Sequence, residues 1–281
     1  MQHDARPSRT AYRVAVRRAV HQIIDHPNVL HDPIAVAIVG ADAVTNAVTN
    51  NAKSDRFPSL RAFVVARSRY AEDELAQSIR NGVTQYVVLG AGLDTFAYRN
   101  PFENLRVFEV DHPATQAWKR EKLNVANIPI PSNLTFVPVN FEMETIRGGL
   151  QSAGFDASAK TFFSWLGVTP YLTREAFDAT VHLVAAMPAG SGIAFDYTLA
   201  RSSLNFQERM ALDALSSRVA SAGEPFQLFF ETPRLVEDLR RAGFDHIEDL
   251  PPSEINARYF SNRADGLKIS GGLAHLIGAR V

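Results

Sequence analysis

Cysteine is absent from the 281 residues, which excludes disulfides, thiolate metal sites, iron–sulfur clusters and a cysteine nucleophile. Net charge is nearly absent too. Lys and Arg total 29 against 30 Asp and Glu, so the basic excess expected of a protein held by nucleic-acid phosphates is missing. No stretch approaches the roughly 18 apolar residues of a membrane helix, and the N-terminus lacks the apolar segment of a signal peptide. HExxH, GxSxG and GxxxxGK[ST] do not occur, which leaves zinc proteases, serine hydrolases and P-loop enzymes unsupported. His21, His26 and His31 are spaced by five, which does not place ligands on one helical face, so no metal is expected. Apolar residues at 46% and charged residues at 21% suit a packed core. These values together describe a soluble, cytoplasmic globular protein with neither a membrane nor a nucleic acid as partner.

The pattern along the chain changes near residue 82. Before it, helical spacing dominates. A helix begins at Pro7-Ser8 with Val16, Val20, Ile23 and Ile24 on one face, and the chain restarts at Asp32-Pro33. Residues 41–56 are small and polar and read as a loop or frayed helix, and a stronger helix covers about 58–81. Beyond it, β-branched and aromatic runs at 85–89, 106–110, 135–139, 161–165, 192–196, 246–250 and 273–279 alternate with helical stretches at 113–126, 142–153, 174–186 and 233–242. This alternation predicts an α/β fold, a mostly parallel sheet covered on both faces. Pro251-Pro252 and an irregular stretch between the last two runs leave room for an antiparallel final pairing. Residues 201–222 break the alternation and read as an inserted helix, the centre of a lid spanning about 199–231. The expected organisation is one domain over 1–281, with a helical segment at 1–82 and the sheet-bearing core at 83–281.

The most informative segment is QYVVLGAGLDTF, residues 85–96. A buried run ends at Leu89 and meets Gly90, Ala91 and Gly92 directly. Gly90 allows the sharp turn, and Gly92 lets a ligand approach the backbone. Asp111 stands about 20 residues on, where a ribose-binding carboxylate belongs. The dinucleotide fingerprint would need glycine at Thr95, and Asp94 would compete with pyrophosphate for the turn's N–H groups. S-adenosyl-L-methionine has no phosphate and carries a sulfonium cation, so it tolerates Asp94. That residue either contacts the cofactor or caps the next helix. An NAD(P)-dependent oxidoreductase is one alternative, disfavoured by Thr95, by Asp94 and by about 80 residues of helical pattern before the first strand; a protein of the same fold that binds S-adenosyl-L-methionine without activity is the other.

RSRYAEDEL, LGAGLDTFAYR, FEVDHP and FFSWLGVTPYLT together resemble the leucine carboxyl methyltransferase family, in its bacterial branch of S-adenosyl-L-methionine-dependent O-methyltransferases. The resemblance extends from PSRTA at 7–11 to the terminal strand. It implies the class I methyltransferase (Rossmann-like) fold, with a seven-stranded mostly parallel sheet. By position it implies Arg67 against the cofactor's methionine carboxylate, Gly90 and Gly92 at the turn, Asp111 on the ribose, and Asn140-Phe141 at the adenine. The family often has Asp-Leu at these last two positions, and it carries a glutamate where this chain has Leu166.

Some of this can be weighed from the residues. On a helical wheel Arg67 lies within about 60° of Leu60, Phe63, Val64, Tyr70 and Ala71, a costly place for an unpaired charge. A ligand carboxylate could pair it. So could a structural partner such as Glu72 or Glu74, or the side chain could reach to the surface. Arg69 falls on the opposite face, solvated or paired with Asp73. The cluster Arg6, Arg9, Arg13, Arg17 and Arg18 reads as a solvated basic face, with Arg9 at a family position for the cofactor carboxylate. His112 either brushes the cofactor or lies on the surface. After the fourth run, Trp165 and Tyr171 in SWLGVTPYL face substrate or pack at the sheet rim, as does Tyr197 beside Asp196. The Asn/Asp-Pro-Pro-aromatic motif of amino-group methylases is missing there, which tilts the small-molecule acceptor toward oxygen. A carboxylate acceptor is ionised at neutral pH and needs no general base, so no catalytic residue is named.

Overall fold

The computed structural model describes residues 8–53, 58–140, 144–221 and 223–281. Helices α1 (Arg9–Ile24), α2 (Pro33–Val39), α3 (Ala41–Lys53) and α4 (Pro58–Arg80) precede the sheet. Strands and helices then alternate: β1 (Gln85–Leu89), β2 (Arg106–Asp111), α5 (Pro113–Val125), β3 (Leu134–Pro138), α6 (Ile146–Ser152), β4 (Thr161–Trp165), α7 (Arg174–Ala185) and β5 (Gly192–Thr198). The chain continues through α8 (Phe206–Ala220), α9 (Thr232–Ala242), β6 (His246–Leu250), α10 (Pro252–Tyr259) and β7 (Ala274–Arg280). The strand order is β3-β2-β1-β4-β5-β7-β6. The first five strands run parallel, and β7 lies antiparallel between β5 and β6, as the proline pair allowed.

The order reverses between β1, which leads outward to β2 and β3, and β4, which leads the other way. A crevice at the carboxyl ends of strands at such a reversal is where open α/β sheets bind ligands. Both faces of the sheet are covered. Val87, Leu89, Phe108, Phe163, Trp165 and Phe195 pack with Phe177 of α7 and Leu235 and Leu239 of α9. Tyr86, Val88, Phe162 and Leu276 pack with Val65, Ala66, Tyr70 and Leu75 of α4 on the other face.

Three sequence expectations are revised here. Of residues 41–56, read as a loop or frayed helix, 41–53 are helical, because Val44 packs with Ala15, Ala19, Ile38 and Val39 of α1 and α2 and tertiary packing supports the weak local preference, while 54–56 lie outside the described residues. The stretch after Pro251 holds α10, with Pro252 in the first turn, where its missing N–H costs no helical hydrogen bond. The helix expected from 142 starts at Ile146, capped by the Thr145 side chain, while 141–143 lie outside the described residues.

The N-terminal helices are joined to the turn after β1 by buried charges. Asp32, fully buried, caps α2 by accepting from the Ala35 N–H and also accepts from Thr95 Oγ1 at 2.7 Å. Arg18 lies 3.3 Å from Asp32 and 3.3 Å from Asp94, and it donates to the Leu93 carbonyl at 2.6 Å. Arg99 contacts Asp32 at 3.4 Å and pairs with Glu72. Arg18 was expected on a solvated face, yet it is 3% exposed. Its carboxylate partners are far away in sequence, so helical spacing could not reveal them.

Candidate functional site

The crevice at the β1/β4 reversal opens into a cavity of about 490 Å³, within the range of small-ligand sites. Its floor is the turn 89–94, and its walls come from α1, α4, Asp111, Thr115, Ser164 and residues 166–168. Its roof is the segment 223–227 that follows α8.

The turn is shaped by contacts a side chain would disrupt. Gly90 has φ of 68°, and a Cβ on it would come within 2.5 Å of Val168 Cγ2. The N–H groups of Gly90 and Ala91 both donate to the Val110 carbonyl, so the turn docks on the end of β2. There Asp111 Oδ2 accepts from the Gly92 N–H at 2.6 Å, and Oδ1 accepts from the His112 N–H at 2.6 Å. Each carboxylate oxygen keeps a lone pair for a further donor. Burial pushes the Asp111 carboxyl above its ordinary range, against those N–H groups and Lys119.

Asp94 faces the cavity from the far side of the turn. Its Oδ1 accepts from the Phe96 N–H at 2.8 Å, and Oδ2 faces Arg18. Burial acts to raise the Asp94 carboxyl, but Arg18, Lys119, the Phe96 N–H and Arg99 outweigh it and hold it below the usual range. The element that follows is one 3-10 turn, Phe96–Arg99, rather than a long helix. The anion-binding helix N-terminus that pyrophosphate requires is therefore missing at this turn, and its leading amide is taken by a carboxylate.

Arg67, 8% exposed, reaches the cavity from the middle of α4. Its partner is Asp196 on β5, at 3.1 Å through Nη1. The expected structural candidates are engaged elsewhere, Glu72 with Arg99 and Glu74 with Arg280. Asp196 Oδ1 also accepts from the Gly167 N–H at 2.6 Å. Gly167 has φ of 73°, and a Cβ there would lie 2.5 Å from Arg67 Nη2, so this glycine makes the space the guanidinium fills. Arg69, on the outer face of α4, pairs with Asp73 at 2.8 Å.

Of the residues selected from sequence, Arg67, Gly90, Ala91, Gly92, Asp94, Asp111 and Tyr171 line this one cavity. Trp165 and Tyr197 do not. Trp165 stacks on Phe177 of α7 at 5.5 Å, and the Tyr197 hydroxyl donates to Asp249 at 2.7 Å. Side chains alternate across a strand, so their neighbours Ser164 and Leu166 line the cavity instead, and Asp196 meets the cavity-lining Arg67. His112 is exposed and caps α5, accepting from the Ala114 N–H through Nδ1. Asn140 lies outside the cavity lining, with its N–H donated to Glu144. Phe141 and the side chain of Arg9 lie outside the described residues.

The roof falls within the lid expected at about 199–231, but sequence reasoning missed the contacts that hold it. Glu224 accepts from Ser8 Oγ at 2.9 Å and from Thr10 Oγ1, both at the start of α1. The Gln227 N–H donates to the Pro170 carbonyl at 2.7 Å, and Phe226 packs on Tyr171 at 5.2 Å. A carboxylate with two hydroxyl donors ties the roof to α1, and its only trace in sequence is the Ser-x-Thr at 8–10. Glu224→Ala is expected to free this edge, at about 1–2 kcal/mol for a half-buried charged acceptor. Amide hydrogen exchange across 223–228 should then speed up by roughly 5- to 30-fold. Unchanged protection would assign the closure to Pro170 and Tyr171 alone.

Residues 11–185 match the leucine carboxyl methyltransferase family. YktD of Bacillus subtilis, named as an S-adenosyl-L-methionine-dependent methyltransferase, is 43% identical over 211 residues, covering 72% of this chain and 67% of its own. A Mycobacteroides abscessus relative of the same description is 33% identical over 66% of this chain and 62% of its own. The chain thus spans about two thirds of the relatives it matches. Among solved structures, a DUF574 family protein from Streptomyces avermitilis superposes with a TM-score of 0.57 at 15% identity, over 95% of this chain and 96% of that one, which establishes the shared fold. The match over residues 11–185 and the identity to the bacterial relatives place this chain in the leucine carboxyl methyltransferase family, as an S-adenosyl-L-methionine-dependent methyltransferase.

Proposed function

We propose that the cavity holds S-adenosyl-L-methionine with its ribose at Asp111 and its methionine carboxylate at Arg67. The methyl acceptor is an oxygen, favourably a carboxylate, of a small or mid-sized molecule. The bound cofactor supplies an electrophilic methyl on a sulfonium centre. The observation that carries this reading is Asp111, whose two oxygens are oriented by the Gly92 and His112 N–H groups with lone pairs left for a ribose diol. Arg67 has one of its five donors on Asp196, which leaves others for a ligand carboxylate. Adjacent Gly90 lets the backbone come close to a bound nucleoside.

The residues at hand suit an acceptor that is already ionised. No histidine lines the cavity among the described residues, and the Glu224 oxygens are engaged by Ser8 and Thr10. The chain's work is then to hold two ligands in line and exclude water, with the roof closing the site. Support for oxygen over nitrogen rests on Ser164-Trp165-Leu166-Gly167, which carries no Asn/Asp-Pro-Pro-aromatic motif.

Thermal shift tests the reading. S-adenosylhomocysteine at 100 times its dissociation constant should stabilise by about 2.7 kcal/mol, while NAD(H) and NADP(H) should leave the melting temperature unchanged. Stabilisation by a nicotinamide dinucleotide instead would overturn it. Transfer of labelled methyl to a panel of acids, phenols and amines should give base-labile label on the acids. Stable label confined to amines would overturn the oxygen assignment.

A further inference from the structure

The wall of the cavity carries a hydroxyl proton that the protein leaves unengaged. Ser164, on β4, is 1% exposed and lines the cavity. Its Oγ accepts from the Tyr86 hydroxyl of β1 at 2.7 Å, and among the described residues this is the only hydrogen bond of the serine side chain. Two hydroxyls bring two protons to such a pair, and one bond between them engages only one. The direction of that bond follows from the surroundings. Tyr86 is 3% exposed, with Phe96 edge-on to its ring at 5.0 Å and Phe162 stacked on it at 6.1 Å. A phenol proton turned away from Ser164 would lie unpaired among these rings, at the cost of a buried unsatisfied donor. With Tyr86 donating, the leftover proton belongs to Ser164, on the cavity side.

The topology says which part of a ligand this proton meets. β4 lies beside β1 on the side away from β2. A nucleoside gripped by Asp111 at the end of β2 extends across the glycine turn of β1 before it reaches β4. The portion over β4 is then the amino-acid tail of the cofactor. Arg67 reaches the same end of the cavity, filling the space beside Gly167, which follows Ser164 on the same stretch of chain. The tail presents a sulfonium, an ammonium and a carboxylate, and of these only the carboxylate accepts a hydrogen bond. Ser164 is also held firmly. Its strand is paired on both sides, with Val88 of β1 and Ala194 of β5 opposite it. A donor fixed before the ligand arrives loses little freedom on binding.

We propose that Ser164 is a second donor to the methionine carboxylate of the cofactor, acting beside Arg67, and that Tyr86 is the positioning residue that turns the serine proton into the cavity. This rests on the cofactor placement given under Proposed function. Arg67 supplies charge but shares its guanidinium with Asp196. Ser164 adds a directed neutral donor that no carboxylate of the protein competes for.

The test is calorimetric titration with S-adenosylhomocysteine and with methylthioadenosine, which has the nucleoside but not the amino-acid tail. Ser164→Ala should weaken S-adenosylhomocysteine by about 10- to 100-fold, the range for one hydrogen bond to a charged group, and leave methylthioadenosine unchanged. Tyr86→Phe keeps the serine hydroxyl but frees it to rotate, so its loss should be smaller and again confined to the ligand with the tail. A serine that serves only as the partner of Tyr86 would lower the melting temperature and change both affinities alike or neither, and that result would overturn the proposal. Should Ser164→Ala fail to fold because Tyr86 is left unpaired, Tyr86→Phe/Ser164→Ala removes both ends of the bond, a change close to neutral for stability. A tail-specific loss in that variant supports the proposal, and equal or unchanged affinities overturn it. Wild-type protein that binds neither ligand refutes the cofactor assignment itself. Wild-type protein that binds both equally well refutes the placement of the tail at Arg67, and the role of Ser164 with it.

Discussion

Asp111→Ala is expected to abolish S-adenosylhomocysteine binding while leaving a folded protein. Hydrogen bonds to a charged acceptor contribute about 1.5–3 kcal/mol each, so losing a ribose diol's two bonds lowers affinity by roughly 10²–10⁴-fold. The fold should survive. The Gly92 N–H released by the substitution faces a cavity that water can enter, and the turn stays docked through the Gly90 and Ala91 N–H groups on Val110. The pH dependence gives an internal check. Burial raises the folded-state value of Asp111 above its unfolded one. Affinity should therefore fall as pH drops through that raised value, because the protonated acid is a poorer acceptor. The carboxyl's own contribution to stability runs the other way: it is fully present below the unfolded value and lost as pH rises through the folded one. Calorimetry and thermal melting of the same samples should thus trend in opposite directions. Wild-type affinity in Asp111→Ala would remove the ribose assignment.

Arg67→Met is expected to be the most destabilising single change at the site. The methionine fills the volume but leaves Asp196 buried with the Gly167 N–H as its remaining partner at that end. Removing one member of a buried pair costs about 3–5 kcal/mol. At ~2 °C per kcal/mol for a chain of this size, the melting temperature should fall by roughly 6–10 °C. Arg67→Met/Asp196→Asn removes both charges and should recover most of that loss. It should not recover affinity for S-adenosylhomocysteine, because the ligand carboxylate no longer meets a cation. Recovery of both would show that Arg67 serves the fold alone, and recovery of neither would show that the guanidinium shape, rather than its charge, supports Gly167.

What could be seen in the sequence follows the range of the interactions involved. The turn and Asp111 were legible because a strand, a glycine pair and a carboxylate one strand later are local signals at fixed spacing. Arg67 was legible as a charge within an apolar stripe, but its partner Asp196 is 129 positions away and no local pattern names it. Arg18 was misplaced on a solvated face for the same reason, with Asp94 76 positions on. The choice of Trp165 over Ser164 failed because all five residues of β4 are buried, so no alternation marks which side faces the cavity. Tyr197 on β5 was lost in the same way. α3 was underestimated because its stability comes from α1 and α2 rather than from its own residues.

The contact of Asp32 with Arg18, Arg99 and Thr95 has a practical corollary for dissecting the enzyme. A fragment trimmed to begin at β1 would leave Arg99 and Thr95 facing solvent and let residues 93–95 relax, so the nucleoside grip should vanish along with the leading helices. The roof, by contrast, is hydrogen-bonded to α1, among the described residues, through Glu224 with Ser8 and Thr10. Grafting a different stretch between β5 and α9 would leave the Asp32 knot untouched. On the proposed placement of the methyl donor, such a graft would test whether the roof sets acceptor preference without rebuilding the half that holds the donor.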